Sequence, residues 1–88
     1  MNSTLKIFIA ENCPGCNDAR RIAAQIEQNH PKITVALVDI TEPRAAVPEA
    51  VFATPTYVLN DRIVSLGNPS PEQVAQWLEE ATASQPEP

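Results

Sequence analysis

The sequence predicts an α/β fold in the order βαβ-α-ββα, with a four-stranded mixed sheet flanked by helices. The first observation is that strand, helix and strand patterns follow one another within about 35 residues, which is typical of a βαβ unit with parallel strands. The second is that two short runs of strand-forming residues flank a turn signal in the second half of the chain, as in an antiparallel hairpin. An amphipathic helix pattern follows the hairpin and completes the order.

The first half of the chain begins with a strand and a helix. Leu5 to Ala10 (LKIFIA) form a mostly apolar run rich in strand formers, which suits a strand covered on both faces. From about Pro14 onward the apolar residues recur at helical spacing, as Ala19, Ile22, Ala23 and Ile26. Pro31 cannot continue this helix, so we expect it to end near His30. The run from Ile33 to Asp39 is again apolar and β-branched, which predicts the second strand.

The segment between Thr41 and Thr54 contains two prolines and several alanines. We expect one short helix in it. Proline is favoured at the first position of a helix, so the helix is predicted to start at Pro48 and to bury Val51 and Phe52.

The last third of the chain predicts a hairpin and a helix. Thr56 to Leu59 and Arg62 to Leu66 flank Asn-Asp at positions 60 and 61, a plausible tight turn between antiparallel strands. After Gly67, Ser70 is expected to be the N-cap of the final helix, with Pro71 at the first helical position and Gln73 completing a capping box. The apolar face of this helix is formed by Val74, Trp77, Leu78 and Ala81.

Length and charge limit the possible functions. The 88 residues suffice for one small domain, placed at residues 1–83, and the polar, proline-containing residues 84–88 are expected to be a flexible tail. A formal net charge of -5 would repel a phosphate backbone, so nucleic acid is not an expected partner. The apolar runs are too short to cross a bilayer and the N-terminus lacks a signal-peptide pattern, so we expect a cytoplasmic protein without a membrane partner, and a monomer.

The only two cysteines, Cys13 and Cys16, enclose Pro14 and Gly15. As a structural disulfide, so short a ring would restrict the unfolded chain little. A structural zinc site needs about four ligands, and the chain offers only His30 and scattered carboxylates besides the two thiols. A redox-active pair is favoured, because it would lie where the first strand becomes the first helix. Soft-metal binding by the two thiolates stays open as an alternative.

This order of elements, with Cys-x-x-Cys between the first strand and the first helix, resembles the thioredoxin-like superfamily over nearly the whole chain. The run ATPTYVL adds to the resemblance. In that superfamily a cis proline begins the strand after the second helix and faces the cysteine pair, and Pro55 matches its position between Thr54 and Thr56. The resemblance implies a thioredoxin-like fold of glutaredoxin size and a thiol-disulfide oxidoreductase that serves electron transport and cell redox homeostasis.

The motifs of the two best-known branches are only partly present. Like glutaredoxins, the chain begins directly with the cysteine-bearing βα unit and has Pro14 after the first cysteine. Ala10 stands where glutaredoxins carry lysine, and Gly15 where they carry an aromatic residue. Thioredoxins carry a buried acid and a tryptophan where this chain has Ile7 and Asn12. The resemblance thus implies a chemistry and leaves the branch open.

Within that chemistry each cysteine has an expected role. The dipole and free N–H groups of the first helical turn would stabilise a thiolate at Cys13, which we expect to be the nucleophile. Cys16, one turn further in and more buried, would resolve the mixed disulfide formed at Cys13. Pro14, Thr54 and Pro55 are the expected substrate-binding residues, Pro55 by exposing the backbone of Thr54 to an extended substrate.

The resemblance also implies the partners of the reaction. These are a disulfide-containing protein or low-molecular-weight thiol as substrate, and a reductase or glutathione as electron donor, with no cofactor and no metal. A non-catalytic or redox-sensing binding module that docks a partner around Pro55 is the alternative from a different class.

Overall fold

The computed structural model describes residues 3–11, 13–49, 51 and 53–83, without the side chains of residues 82 and 83. These residues form four strands and two helices. In chain order they are β1 (Ser3–Ile9), α1 (Cys16–Asn29), β2 (Ile33–Asp39), β3 (Thr56–Leu59), β4 (Arg62–Leu66) and α2 (Pro71–Ala83). The predicted α/β fold is confirmed, and both strands of the hairpin have the predicted bounds.

The four strands form one mixed sheet in the order β2-β1-β3-β4. β1 pairs with β2 in parallel, as the βαβ pattern predicts, and with β3 in antiparallel orientation. Ile7 of β1 therefore lies between Leu37 of β2 and Tyr57 of β3. This arrangement brings the carboxyl end of β1, which leads to the cysteines, beside the start of β3, which follows Pro55.

Both helices pack on the same face of the sheet, where a single cluster of buried side chains joins them. The cluster includes Leu5, Ile7, Ile9, Tyr57 and Leu59 from the strands, Cys16, Ala19, Ala23 and Ile26 from α1, and Leu78 and Ala81 from α2. The rings of Tyr57 and Trp77 lie 5.8 Å apart between centroids, in a tilted arrangement. Fully burying a large apolar side chain contributes about 1.5–3 kcal/mol, so this cluster supplies much of the stability of the fold.

The opposite face of the sheet is covered by the chain that follows β2. Phe8 and Val58 are buried there together with Val51, and Val47 packs against them. The predicted short helix at Pro48 is wrong for the described residues, which form turns and irregular chain: the N–H of Val51 donates to the carbonyl of Pro48 at 3.0 Å. Proline has no N–H to donate, and the residue before Pro55 avoids helical backbone, so little room is left for a helix. Val51 is buried as predicted, whereas Phe52 lies outside the described residues.

Helix α1 begins two residues later than predicted. Its first residue is Cys16, and Gly15 is the N-cap, without a side-chain cap hydrogen bond. Pro14 is therefore in the preceding turn and not at the first helical position. The helix ends as predicted before Pro31, where the N–H of His30 donates to the carbonyl of Ile26 at 2.8 Å.

The hairpin turn and the cap of α2 follow the sequence prediction. Asn60 and Asp61 have φ values of 51° and 68°, which suit a tight turn between twisted strands. At α2 the N–H of Gln73 donates to Oγ of Ser70 at 3.2 Å, and the N–H of Ser70 donates to Oε1 of Gln73 at 2.9 Å. The capping box is thus complete. Neither helix in the described part of the chain has the length and apolar character needed to cross a membrane.

Candidate redox site

The two cysteines lie in the turn that connects β1 to α1, and they form a disulfide. Their Cα atoms are 5.3 Å apart, within the usual range for bonded cysteines. Cys16 is 1% exposed and belongs to the core cluster, whereas Cys13 is only partly buried. The expected order of exposure is confirmed: the first sulfur faces the surface and the second faces the interior.

The cysteine turn is closed by its own backbone before the helix starts. The N–H of Cys16 donates to the carbonyl of Cys13 at 3.1 Å, and the N–H of Ala19 donates to the carbonyl of Gly15 at 3.0 Å. The N–H groups at positions 17 and 18 have no carbonyl four residues earlier within the helix. They therefore give the start of α1 its partial positive charge. A thiolate at Cys13 would lie beside this end of the helix.

Pro55 lies across from the cysteine turn, and the Thr54–Pro55 peptide bond is cis. A Cβ atom at Gly15 would be 3.4 Å from Cδ of Pro55, so the turn and the proline ring are in close contact. Thr54 is partly exposed, and Pro55 itself is buried. The hydroxyl of Thr56 donates to the carbonyl of Ala53 at 2.6 Å and fixes the chain just before the strand. The structure therefore brings Cys13, Cys16, Pro14, Thr54 and Pro55 to one region.

Asn68 is a residue of this region that the sequence analysis did not select. Its Nδ2 donates to the carbonyl of Gly15 at 2.9 Å, and its Oδ1 accepts from the hydroxyl of Tyr57 at 2.9 Å. Asn68 thereby connects the cysteine turn with β3. The sequence shows a polar residue after Gly67 in a loop, and only the folded chain shows which distant carbonyl it reaches.

An open concavity of about 610 Å³ adjoins Cys13. It is lined by Ala10, Glu11, Cys13, Pro14, Asn17 and Arg20. Pro14 is exposed at its rim, which agrees with a place where a substrate can approach the sulfur of Cys13. Arg21, the neighbour of Arg20, is instead paired with Asp18 at 3.0 Å.

Two ionisable groups near the site have shifted pKa values. Burial, with a smaller contribution from the charge of Asp18, raises the pKa of Tyr57 to about 12. The hydroxyl and N–H of Thr41 both donate to the carboxylate of Asp39 and lower the pKa of Asp39 below its usual value. Tyr57 is thus a neutral donor to Asn68 over the whole physiological range. Asp39 is an anion there.

Metal ligands do not gather at the cysteines within the described ranges. No group of three or more His, Cys, Asp or Glu side chains in them could hold a metal ion. His30 lies at the end of α1 and Cys16 at its start, so the sole histidine is on the far end of the helix from the pair.

Comparison with known proteins is consistent with this geometry. Residues 3–79 match the family model described as a thioredoxin domain. Among curated proteins, the thioredoxin of Methanocaldococcus jannaschii is 25% identical over 76 residues, which cover 84% of this chain and 89% of that protein.

Solved structures show the same fold at lower identity. Thioredoxin-2 of a malaria parasite superposes with a TM-score of 0.75 at 15% identity, covering 90% of this chain and 82% of its own. Thioredoxin of Fasciola hepatica superposes with a TM-score of 0.72 at 19% identity, covering 90% and 80%. Together with the partly buried Cys13 and the buried Cys16 where β1 leads into α1, the match to the family model over most of the chain shows that this protein belongs to the thioredoxin-domain family.

Proposed function

We propose that this protein is a thiol-disulfide oxidoreductase that cycles between a Cys13–Cys16 disulfide and a dithiol. The observation that carries the proposal is the asymmetry of the pair: a partly exposed sulfur at the start of α1 is bonded to one that is 1% exposed. An exposed thiolate can reach a substrate disulfide, and a buried neighbour can react only with the sulfur next to it.

The reaction follows from these positions. The Cys13 thiolate attacks one sulfur of a substrate disulfide, and the other substrate sulfur leaves as a thiolate that takes up a proton. The Cys16 thiol then loses its proton and attacks the Cys13 sulfur of the mixed disulfide. The second substrate sulfur leaves and is protonated, so two electrons have moved from the protein to the substrate and the Cys13–Cys16 disulfide has formed. One of the two protons taken up comes from Cys16, and the other comes from the solvent, to which Cys13 lost its proton when it ionised.

Substrate and electron donor complete the cycle. We assign substrate binding to Pro14, Thr54 and Pro55, because Pro14 is exposed beside Cys13, Pro55 lies against the cysteine turn at Gly15, and Thr54 is partly exposed where an extended peptide could pair with it. The substrate class is a disulfide in a protein or a small thiol compound. A reductase or glutathione returns the electrons, in the cytoplasm, where such reductants are kept available.

The first test is reduction of insulin with dithiothreitol as the electron source. The wild-type protein should accelerate the precipitation of insulin, and Cys13→Ser should abolish the acceleration. A rate for the wild type equal to that of Cys13→Ser would instead favour a binding module that docks partners without catalysis.

A trapping experiment tests the roles of the two cysteines separately. Cys16→Ser should accumulate a mixed disulfide with a substrate disulfide, visible as an added mass that dithiothreitol removes, because the resolving thiol is missing. Cys13→Ser is the matched control and should trap none, since Cys16 is buried. Trapping by Cys13→Ser alone would reverse the assignment.

A further inference from the structure

Asn68 makes the contact that best explains how the cysteine turn is held. It lies in the loop between β4 and α2, 53 residues away along the chain from Gly15. Both polar atoms of its side-chain amide are hydrogen-bonded: Nδ2 donates to the Gly15 carbonyl, and Oδ1 accepts from the hydroxyl of Tyr57. The carbonyl of Gly15 can only accept, so the amide nitrogen must face it, and the oxygen is left for the hydroxyl.

The far end of this connection is rigid. Tyr57 is 0% exposed, lies in the central strand β3 and packs against the ring of Trp77. Because the pKa of Tyr57 is raised, its hydroxyl keeps the proton that it donates. Asn68 therefore connects strand β3 in the core to the cysteine turn at the surface through two hydrogen bonds.

Asn68 binds the cysteine turn at Gly15, which lies between Cys13 and Cys16 in the sequence. Gly15 precedes Cys16, and its carbonyl also accepts from the N–H of Ala19 in α1. A Cβ at Gly15 would be only 3.2 Å from Nδ2 of Asn68, so the amide lies directly against the turn. When the disulfide is reduced, the sulfurs must separate to van der Waals distance. Because Cys16 is buried in the core and Cys13 is only partly buried, we expect Cys13 and the turn up to Gly15, which Asn68 holds, to take up this movement.

We propose that Asn68 is a positioning residue, which holds the Gly15 carbonyl in the arrangement of the closed pair and so stabilises the Cys13–Cys16 disulfide relative to the dithiol. The proposal rests on the redox cycle proposed above, but it concerns the equilibrium between the two forms. Its test therefore needs no substrate turnover. The side chain of Asn68 is exposed, so water competes for its hydrogen bonds and the effect is modest.

The test is the reduction potential of the pair, measured by equilibration with dithiothreitol buffers and counting of alkylated thiols by mass. Asn68→Ala should favour the dithiol two- to fivefold, a shift of about 9–21 mV to less negative potential at ~29.6 mV per tenfold. Asn68→Asp keeps an acceptor for Tyr57 but has no donor for Gly15, so it should shift the potential at least as far. Asn29→Ala, at the exposed far end of α1, is the control and should change the equilibrium constant between dithiol and disulfide by less than 1.5-fold.

A second readout separates positioning from a general structural role. Thermal unfolding of oxidised and reduced Asn68→Ala should show a larger loss of stability in the oxidised form, because the two equilibria form a closed thermodynamic cycle. Equal losses of stability in the oxidised and reduced forms would overturn the proposal. So would an equilibrium constant between dithiol and disulfide within 1.5-fold of the wild-type value. If Asn68→Ala does not fold, Tyr57→Phe removes the hydrogen bond from Tyr57 to Asn68 but keeps the aromatic ring. It should shift the reduction potential in the same direction by a smaller amount.

These measurements keep the two proposals distinguishable. If the wild-type protein did not reduce insulin, the oxidoreductase role would be contradicted. The shift in reduction potential caused by Asn68→Ala could still be measured. An unchanged potential in an active Asn68→Ala variant would contradict the positioning role alone.

Discussion

Gly15 shows how a single residue connects the cysteine turn to the rest of the molecule. Its φ and ψ of -87° and -6° are open to any residue, so its backbone does not require glycine. Its surroundings are close: a side chain there would begin 3.4 Å from Pro55, an ordinary contact, and 3.2 Å from Nδ2 of Asn68, which would have to move by a few tenths of an ångström. The missing Cβ therefore leaves the Asn68 amide room to reach the Gly15 carbonyl.

Tyr57 is the residue whose ionisation reports directly on this contact. It is the only tyrosine of the chain, so absorbance of tyrosinate at alkaline pH measures it alone. We expect the wild-type protein to titrate near pH 12, against about pH 10 in a denaturant, because burial disfavours the phenolate. A titration midpoint near pH 10 in the folded protein would contradict the buried donor.

The same shift predicts how stability depends on alkaline pH. The pKa of Tyr57 is higher in the folded than in the unfolded chain, so the unfolded chain releases its proton first. The contribution of Tyr57 is fully present below about pH 10 and is lost as pH rises through about 12. Tyr57→Phe should lose less stability than the wild type across this window in urea unfolding. The lysines and arginines are common to both proteins, so the difference isolates Tyr57.

At the scale of elements, the capping box of α2 is an interaction that sequence and structure place at the same residues. Ser70→Ala leaves the N–H of Gln73 without its side-chain acceptor and should lower the free energy of unfolding by about 1 kcal/mol. Urea unfolding followed by the fluorescence of Trp77, the only tryptophan, measures it. Gln76→Ala, an exposed change in the same helix, is the control and should alter it by less than about 0.5 kcal/mol. Equal values for the two variants would contradict the role of the cap.

Local signals account for the elements that could be predicted. The bounds of β3, β4 and the start of α2 follow from the Asn-Asp turn and the Ser-Pro cap, each of which satisfies backbone groups within a few residues. The start of α1 could not be placed as well. Pro14 is a good first helical residue, but the N–H of Cys16 closes the cysteine turn by donating to the carbonyl of Cys13, and the helix begins only at Cys16.

Non-local contacts explain what the sequence could not predict. The short helix at Pro48 fails because the chain covers Phe8 and Val58 while it passes to Pro55, and turns achieve this without a helix. In the site, the Cys-x-x-Cys spacing and Pro55 could be found from local context. Asn68 could not, because its partners are 11 and 53 residues away and nothing in a Gly-Asn pair specifies them.

At the scale of the whole molecule, the two faces of the sheet are covered in different ways. One face has two helices with a continuous core, and the other has the segment 40–53, whose described residues form turns and irregular chain. These turns are local, such as the bonds from the N–H of Glu42 to Asp39 and from the N–H of Ala45 to Glu42, both 3.1 Å. Segments with few long-range contacts open at lower free energy than core elements.

Limited digestion with trypsin tests this difference between the two faces. Arg44 is exposed and is the only lysine or arginine within residues 40–53, whereas Lys6, Arg20, Arg21 and Arg62 lie in strands or helices. Lys32 lies in the short turn directly before buried Ile33. We expect the first cut between Arg44 and Ala45, identified by fragment masses, and Arg44→Gln should slow loss of the intact chain by about tenfold or more. The two fragments should stay together in gel filtration, because β1 pairs with β3 across the cut. A first cut at Arg20, Arg21 or Arg62 would show that a helix or edge strand, and not this segment, opens most readily.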